Sequence, residues 1–191
     1  MVNYLIKDKK TLKQYLEADK KACLGDKKIT PEIRYRRNFK YRLYCYLKTL
    51  RKLEYMCYLR DTDKNPLTAR IKSFRIKGID RKKNLLSAQT GIDIVQNRAE
   101  KGIRIAHPNV ILNGYCGEGC VFHGNNVLGN KGTGMSDDVP HLGNFVDVGV
   151  GAIIIGKVEI ADNCVIGAGA VVTKSFTVPG TVVAGVPAKE L

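Results

Sequence analysis

Leu142, Val148, Ile154, Ile160, Ile166, Val172, Val178 and Ala184 fall at every sixth residue, without a slip. A helix repeats its apolar face every 3.6 residues and a strand every two, so neither accounts for a strict period of six. Four residues after each comes a second row of mostly small side chains: Val146, Ala152, Val158, Cys164, Ala170, Phe176, Val182 and Ala188. Such a repeat predicts short parallel strands joined by corners, three hexads closing one triangular coil, with the aliphatic row turned inward. A single coil cannot bury that row, so several must stack. Glycines at 143, 149, 151, 156, 167 and 169 suit corners where φ is positive. Upstream, Val110, Cys116, Phe122 and Leu128 continue the register with looser chemistry, whereas residues 131–141 do not fit it and read as an extruded loop.

The first half has a different texture. Residues 1–90 carry 25 Lys+Arg against 9 Asp+Glu, a net of +16, and the remaining 7 and 9 leave residues 91–191 at −2. Helical spacing occupies Thr11–Asp19 and again Ile33 to Leu59, with Thr30 as N-cap and Pro31 in the first turn. In the second stretch Leu43, Leu47, Leu50, Leu53 and Met56 form one apolar stripe on a basic helix. A connector or short helix is expected from Leu67 toward Lys83. The expected fold class is therefore mainly β: a parallel β-helix of four to five coils over 91–191, preceded by a basic α-helical region over 1–90. The basic half suits a solvated helical surface, an anionic partner or the surface of a membrane, through Arg34, Arg36 and Arg37 among others.

The six cysteines have no paired metal spacing and follow no apolar leader, so reduced thiols and a cytoplasmic location are expected. Cys116 and Cys120 form a CxxxC, which reads as core filler. The three histidines, at 107, 123 and 141, include no closely spaced pair, so neither a zinc site nor a zinc hydratase is expected.

The segments GIRIAHPNVILNG (102–114), VLGNKGTG (127–134), PHLGNFVDVGVGAIIIG (140–156), IGAGAVVTK (166–174) and VAGVPAKEL (183–191) resemble the hexapeptide-repeat acyltransferases. Within them the chain looks most like the serine acetyltransferase branch and related capsule-polysaccharide O-acetyltransferases. The resemblance covers roughly residues 91–191 and only weakly the first half. It implies a left-handed β-helix, acetyl-CoA as donor, a hydroxyl acceptor, no metal, and a homotrimer with active sites in clefts between neighbours; the helical region could add a dimer of trimers. The family's catalytic histidine falls on His107, in the role of general base that an imidazole side chain suits. Asp93 in GIDI, 14 residues earlier, is placed to orient it. Gly151, Ala152, Gly169 and Ala170 are assigned to a flat face that the pantetheine arm approaches. Gly132, Thr133 and Gly134 are assigned to a turn near the thioester, and Lys174 and Lys189 to the phosphates of CoA.

Two positions depart from the serine-specific pattern. Ala106 stands where an Asp precedes the catalytic histidine, and Asp138 and Val139 stand where an Arg-His pair ends the loop. A carboxylate site built with Asp138 has the wrong sign, so a sugar hydroxyl of a surface polysaccharide becomes the first expectation and L-serine the alternative. His123 and His141 are candidates to line the acceptor cleft. A reading of another class remains open: a non-catalytic β-helix scaffold whose basic half binds a membrane or a nucleic acid. No RNA-binding signature accompanies the charge.

Overall fold

The computed structural model describes residues 3–26, 28–36, 38–132 and 138–191, and of Arg34 and Arg36 the backbone only. Two compact units, Met1–Thr90 and Gly91–Leu191, divide the chain.

The first unit is helical. Asp8 accepts from Thr11 N (2.8 Å) and starts α1 (Lys9–Leu24), which ends at Gly25 with φ 64°. Thr30 Oγ1 accepts from Ile33 N (3.3 Å) at the start of the short α2 (Pro31–Arg36). Asn38 caps α3 (Phe39–Asp61) through Tyr41 N (3.0 Å), so the single long helix expected from Ile33 is two. Leu43, Leu47, Leu50 and Leu53 of α3 are buried as the stripe predicts, and α3 packs against α1 and α4 (Pro66–Thr90). The α4 helix runs well past Lys83, where the sequence suggests a connector. Among the helices described, none is long and apolar enough to cross a membrane.

The second unit is a prism of three parallel sheets. Its first face stacks β1 (Ile92–Ile94), β3 (Val110–Leu112), β6 (Asn126–Gly129), β9 (Ile153–Ile155) and β12 (Val171–Val172). The second stacks β4 (Tyr115–Cys116), β7 (His141–Leu142) and β10 (Glu159–Ile160). The third holds β2 (Arg104–Ile105), β5 (Val121–Phe122), β8 (Asp147–Val148), β11 (Val165–Ile166) and β13 (Val182–Ala184), closed by the antiparallel β14 (Lys189–Glu190). The chain visits the faces in rotation, so each turn of the prism places one rung on each face.

Leu142, Val148, Ile154, Ile160, Ile166 and Val172 all point into the core. Beyond Val172 the beat fails. Ile160 bridges Phe176 and Ile166 pairs with Val183, so the last coil is shorter than eighteen residues. Val178 is consequently 64% exposed, and Val183 rather than Ala184 fills the inward place. Upstream, Leu112 pairs with Leu128, and Val110 with Asn126, which puts Val110 in the second row rather than the first. The extruded segment ends one residue earlier than the sequence suggests, because His141 already pairs with Tyr115 and Glu159.

Candidate active site

One edge of the prism, where the third face turns into the first, gathers six of the candidates: His107, His123, Gly151, Ala152, Gly169 and Ala170. Residues Gly91, Asn109, Asn125, Gly151 and Gly169 stack along it, one or two positions before a paired rung and each with φ between 54° and 70°. Gly and Asn adopt that conformation most cheaply, which is why the corner uses these two residue types alone. Asn109 Nδ2 donates to Asn125 Oδ1 (3.0 Å), joining two corners. A Cβ built on Gly151 or Gly169 would meet no atom within 4 Å, so the lower edge is an open shelf.

The top of this edge is irregular in an informative way. Three residues, 123–125, separate the inward Phe122 from Asn126, and the turns 149–151 and 167–169 have the same length. Four residues, 106–109, separate Ile105 from Val110. The additional residue makes this corner a bulge, and His107 lies in it, exposed to solvent. Its Cβ rests over Gly124, where an added methyl would come within 2.7 Å. Below it, the fully buried Asn126 accepts from Gly124 N (2.9 Å) and donates to Gly149 O (2.7 Å), bracing the corner on which His107 stands.

His123 follows β5 on the third face, in register with Ala106 above and Gly149 below. Its Nε2 lies 2.8 Å from Asp147 Oδ1, both side chains 45% exposed. Asp93 lies on β1, past the edge on the first face, and among the described residues no hydrogen bond or ion pair joins it to His107. The expected Asp93–His107 contact is therefore missing, while His123 has a carboxylate partner that the hexad arithmetic did not reveal. Asp147 could have been found by noting that it occupies the outward position just before inward Val148.

The other candidates lie elsewhere. Gly132 and Lys174 belong to the edge between the first and second faces, where Lys174 Nζ sits 5.4 Å from the Phe176 ring. Thr133 and Gly134 lie outside the described residues. Lys189 is exposed on β14 at the C-terminal end of the third face. His141 stands on the second face, opposite the Asn–Gly edge, its ring 4.5 Å from that of Tyr115, over which Arg98 stacks. The N–H groups of Gly151, Ala152, Gly169 and Ala170 are already donated to carbonyls of the coil, so this face offers a flat surface rather than free donors. Asp138 Oδ1 accepts from Lys157 N (2.7 Å) and Val139 is buried, so both anchor the end of the loop.

Burial pushes the thiols of Cys116 and Cys120 up, the second to about 11, which fits core filling and not reactivity. Among the described residues no group of His, Cys, Asp and Glu could hold a metal ion.

No family model matches the chain. Over 104 residues it is 35% identical to a serine acetyltransferase of Synechococcus elongatus, a match covering 52% of this chain and 42% of that protein. The crystal structure of Neisseria gonorrhoeae serine acetyltransferase superposes with a TM-score of 0.66 at 23% identity, covering 96% of this chain and 67% of the other. The same enzyme in complex with serine gives 0.63 at 23% identity, covering 96% and 70%. The chain has the fold of these solved serine acetyltransferases, a left-handed β-helix preceded by a helical region. The structural likeness runs through the helical unit as well, where the sequence resemblance is weak. The matched segment spans less than half the length of the cyanobacterial relative.

Proposed function

We propose that this chain moves an acetyl group from acetyl-CoA to the hydroxyl of L-serine, with His107 as the general base. The imidazole takes the proton from the hydroxyl, the oxygen attacks the thioester carbonyl carbon, and the departing thiolate of CoA receives the proton back. The observation that carries the reading is His107 itself, thrown outward on the lengthened corner at the head of an open shelf. That shelf, over Gly151 and Gly169, suits an extended pantetheine arm, and Lys189 lies toward the end where its nucleotide would reach. Gly132 and Lys174 lie on a different edge from His107, which supports an arrangement in which a neighbouring copy brings its loop edge to this shelf, as a homotrimer would. Six free thiols support a reducing compartment such as the cytoplasm.

The serine acetyltransferase relatives favour the amino acid over the polysaccharide sugar that the sequence puts first. A sugar stays as the second reading on one observation: Asp138 and Val139 serve the loop, and neither is a cation. Thiol release from acetyl-CoA, measured against L-serine and a panel of monosaccharides, separates the two. His107→Ala should lower the rate about 10²- to 10⁴-fold. An unaltered rate would move the base elsewhere.

A further inference from the structure

An α-amino acid acceptor needs a cation for its carboxylate and an anion for its ammonium. With Asp138 and Val139 occupied in the loop, the third face offers both, beginning three residues before His107. Arg104, Val121 and Asp147 form one outward row, Cα partners in successive rungs. Adjacent strands lie about 4.8 Å apart, so the stems of Arg104 and Asp147 start about 10 Å from each other. Arg104 is exposed, and among the described residues its guanidinium has no hydrogen bond or ion pair. At the other end of the row, Asp147 meets His123 Nε2 at 2.8 Å. So close an approach is attractive with a proton on Nε2, which leaves Nδ1 and the second carboxylate oxygen as acceptors. Ala106 and Gly149 flank His123 in its own row, so nothing larger than a methyl group hems the imidazole there.

A cation, an apolar saddle and an anion in sequence match a zwitterion, and a neutral sugar would leave Arg104 without a counter-charge. We infer that Arg104 and the His123–Asp147 pair select a hydroxy-α-amino acid as acceptor: Arg104 receives its carboxylate, Asp147 and His123 Nδ1 its ammonium, and the hydroxyl faces His107. This rests on the acetyl-transfer reading of His107.

The test uses the full chain and steady-state thiol release with L-serine, ethanolamine (no carboxylate) and 3-hydroxypropionate (no ammonium). Arg104→Ala should raise KM for L-serine about 10- to 100-fold and leave KM for ethanolamine unchanged. Asp147→Asn should raise KM for L-serine by a similar factor and leave 3-hydroxypropionate unchanged. In both variants kcat and KM for acetyl-CoA should stay within about two-fold of the parent, a split that a merely structural role would not give. Should Arg104→Ala melt below the parent, Arg104→Gln makes the same test. L-serine kinetics unaltered in both variants would overturn the inference, and loss of activity in His107→Ala would still leave the acetyl-transfer reading standing. A parent that acetylates a monosaccharide but not L-serine also overturns it. A parent that transfers acetyl to nothing overturns both.

Discussion

In the helical unit Arg51, Asp19 and Glu54 are sealed from water and answer one another, with Arg51 Nε 2.9 Å from Asp19 and Nη1 3.2 Å from Glu54. On the β-helix Arg104, His123 and Asp147 stand at the surface, and Arg104 answers no group among the described residues. Both groups hold an arginine and an aspartate, and the consequences are opposite. Burial alone would drive Arg51 toward its neutral form, but the two carboxylates reverse that, and its guanidinium is held more firmly charged than usual. A buried triad of this kind fixes how α1 and α3 meet. The β-helix builds its core from aliphatic rungs instead, which leaves its outward rows free to carry chemistry.

The sharpest way to break that comparison is Arg51→Ala. It takes the guanidinium away from two fully buried carboxylates, so it should cost about 3–5 kcal/mol. Denaturant unfolding followed by far-UV circular dichroism would show it. A loss below about 1 kcal/mol, the worth of an exposed pair, would mean that the triad is hydrated and the contrast between the units is false.

The core of the β-helix is tested by two aliphatic residues that the period of six treats alike. Ile166 is fully buried and pairs in register with Val148 and Val183, so Ile166→Ala should cost about 2–5 kcal/mol. Val178 lies outside the core after the register slips, so Val178→Ala should cost less than about 0.5 kcal/mol. Similar losses for both would restore the unbroken hexad pattern at the C-terminal end.

That pair marks where the sequence was readable. Periodicity reports which residues face inward, because every full coil repeats the same burial; it therefore revealed the prism and the positive-φ corners at Gly151, Gly156 and Gly169. Gly143, Gly149 and Gly167, by contrast, adopt ordinary φ and are small because the next coil lies against them. His107 was singled out only by the resemblance of its motif. It is blind to coils that gain or lose a residue, since the apolar row can resume in a new register with aliphatic residues on both sides of the slip. The bulge at 106–109 is such a gain, the step from Leu112 to Cys116 is two residues short of six, and the step from Leu128 to Leu142 is eight too long. The outward row of Arg104, Val121 and Asp147 therefore could not be read from spacing: its members stand 17 and 26 residues apart in the pairing, not 18. The helical unit was legible in its stripe and caps but not in Arg51, which looks like one more surface cation until α1 is packed against it.

The smallest loss expected from a core substitution concerns Asn126, a fully buried polar side chain of the second row at a place where the next two coils have Ala152 and Ala170. An alanine would fit the packing, so the amide must be there for its hydrogen bonds. It accepts from the buried N–H of Gly124 and donates to the carbonyl of Gly149, and those two residues lie beneath His107 and beside His123. Asn126→Ala leaves the Gly124 N–H with no acceptor and should cost about 1–3 kcal/mol in the same unfolding measurement. Because Gly124 carries His107, kcat should fall by more than this loss of stability implies at temperatures where the variant is fully folded. If kcat is unchanged there, Asn126 holds the fold alone and the corner does not depend on it to aim the base.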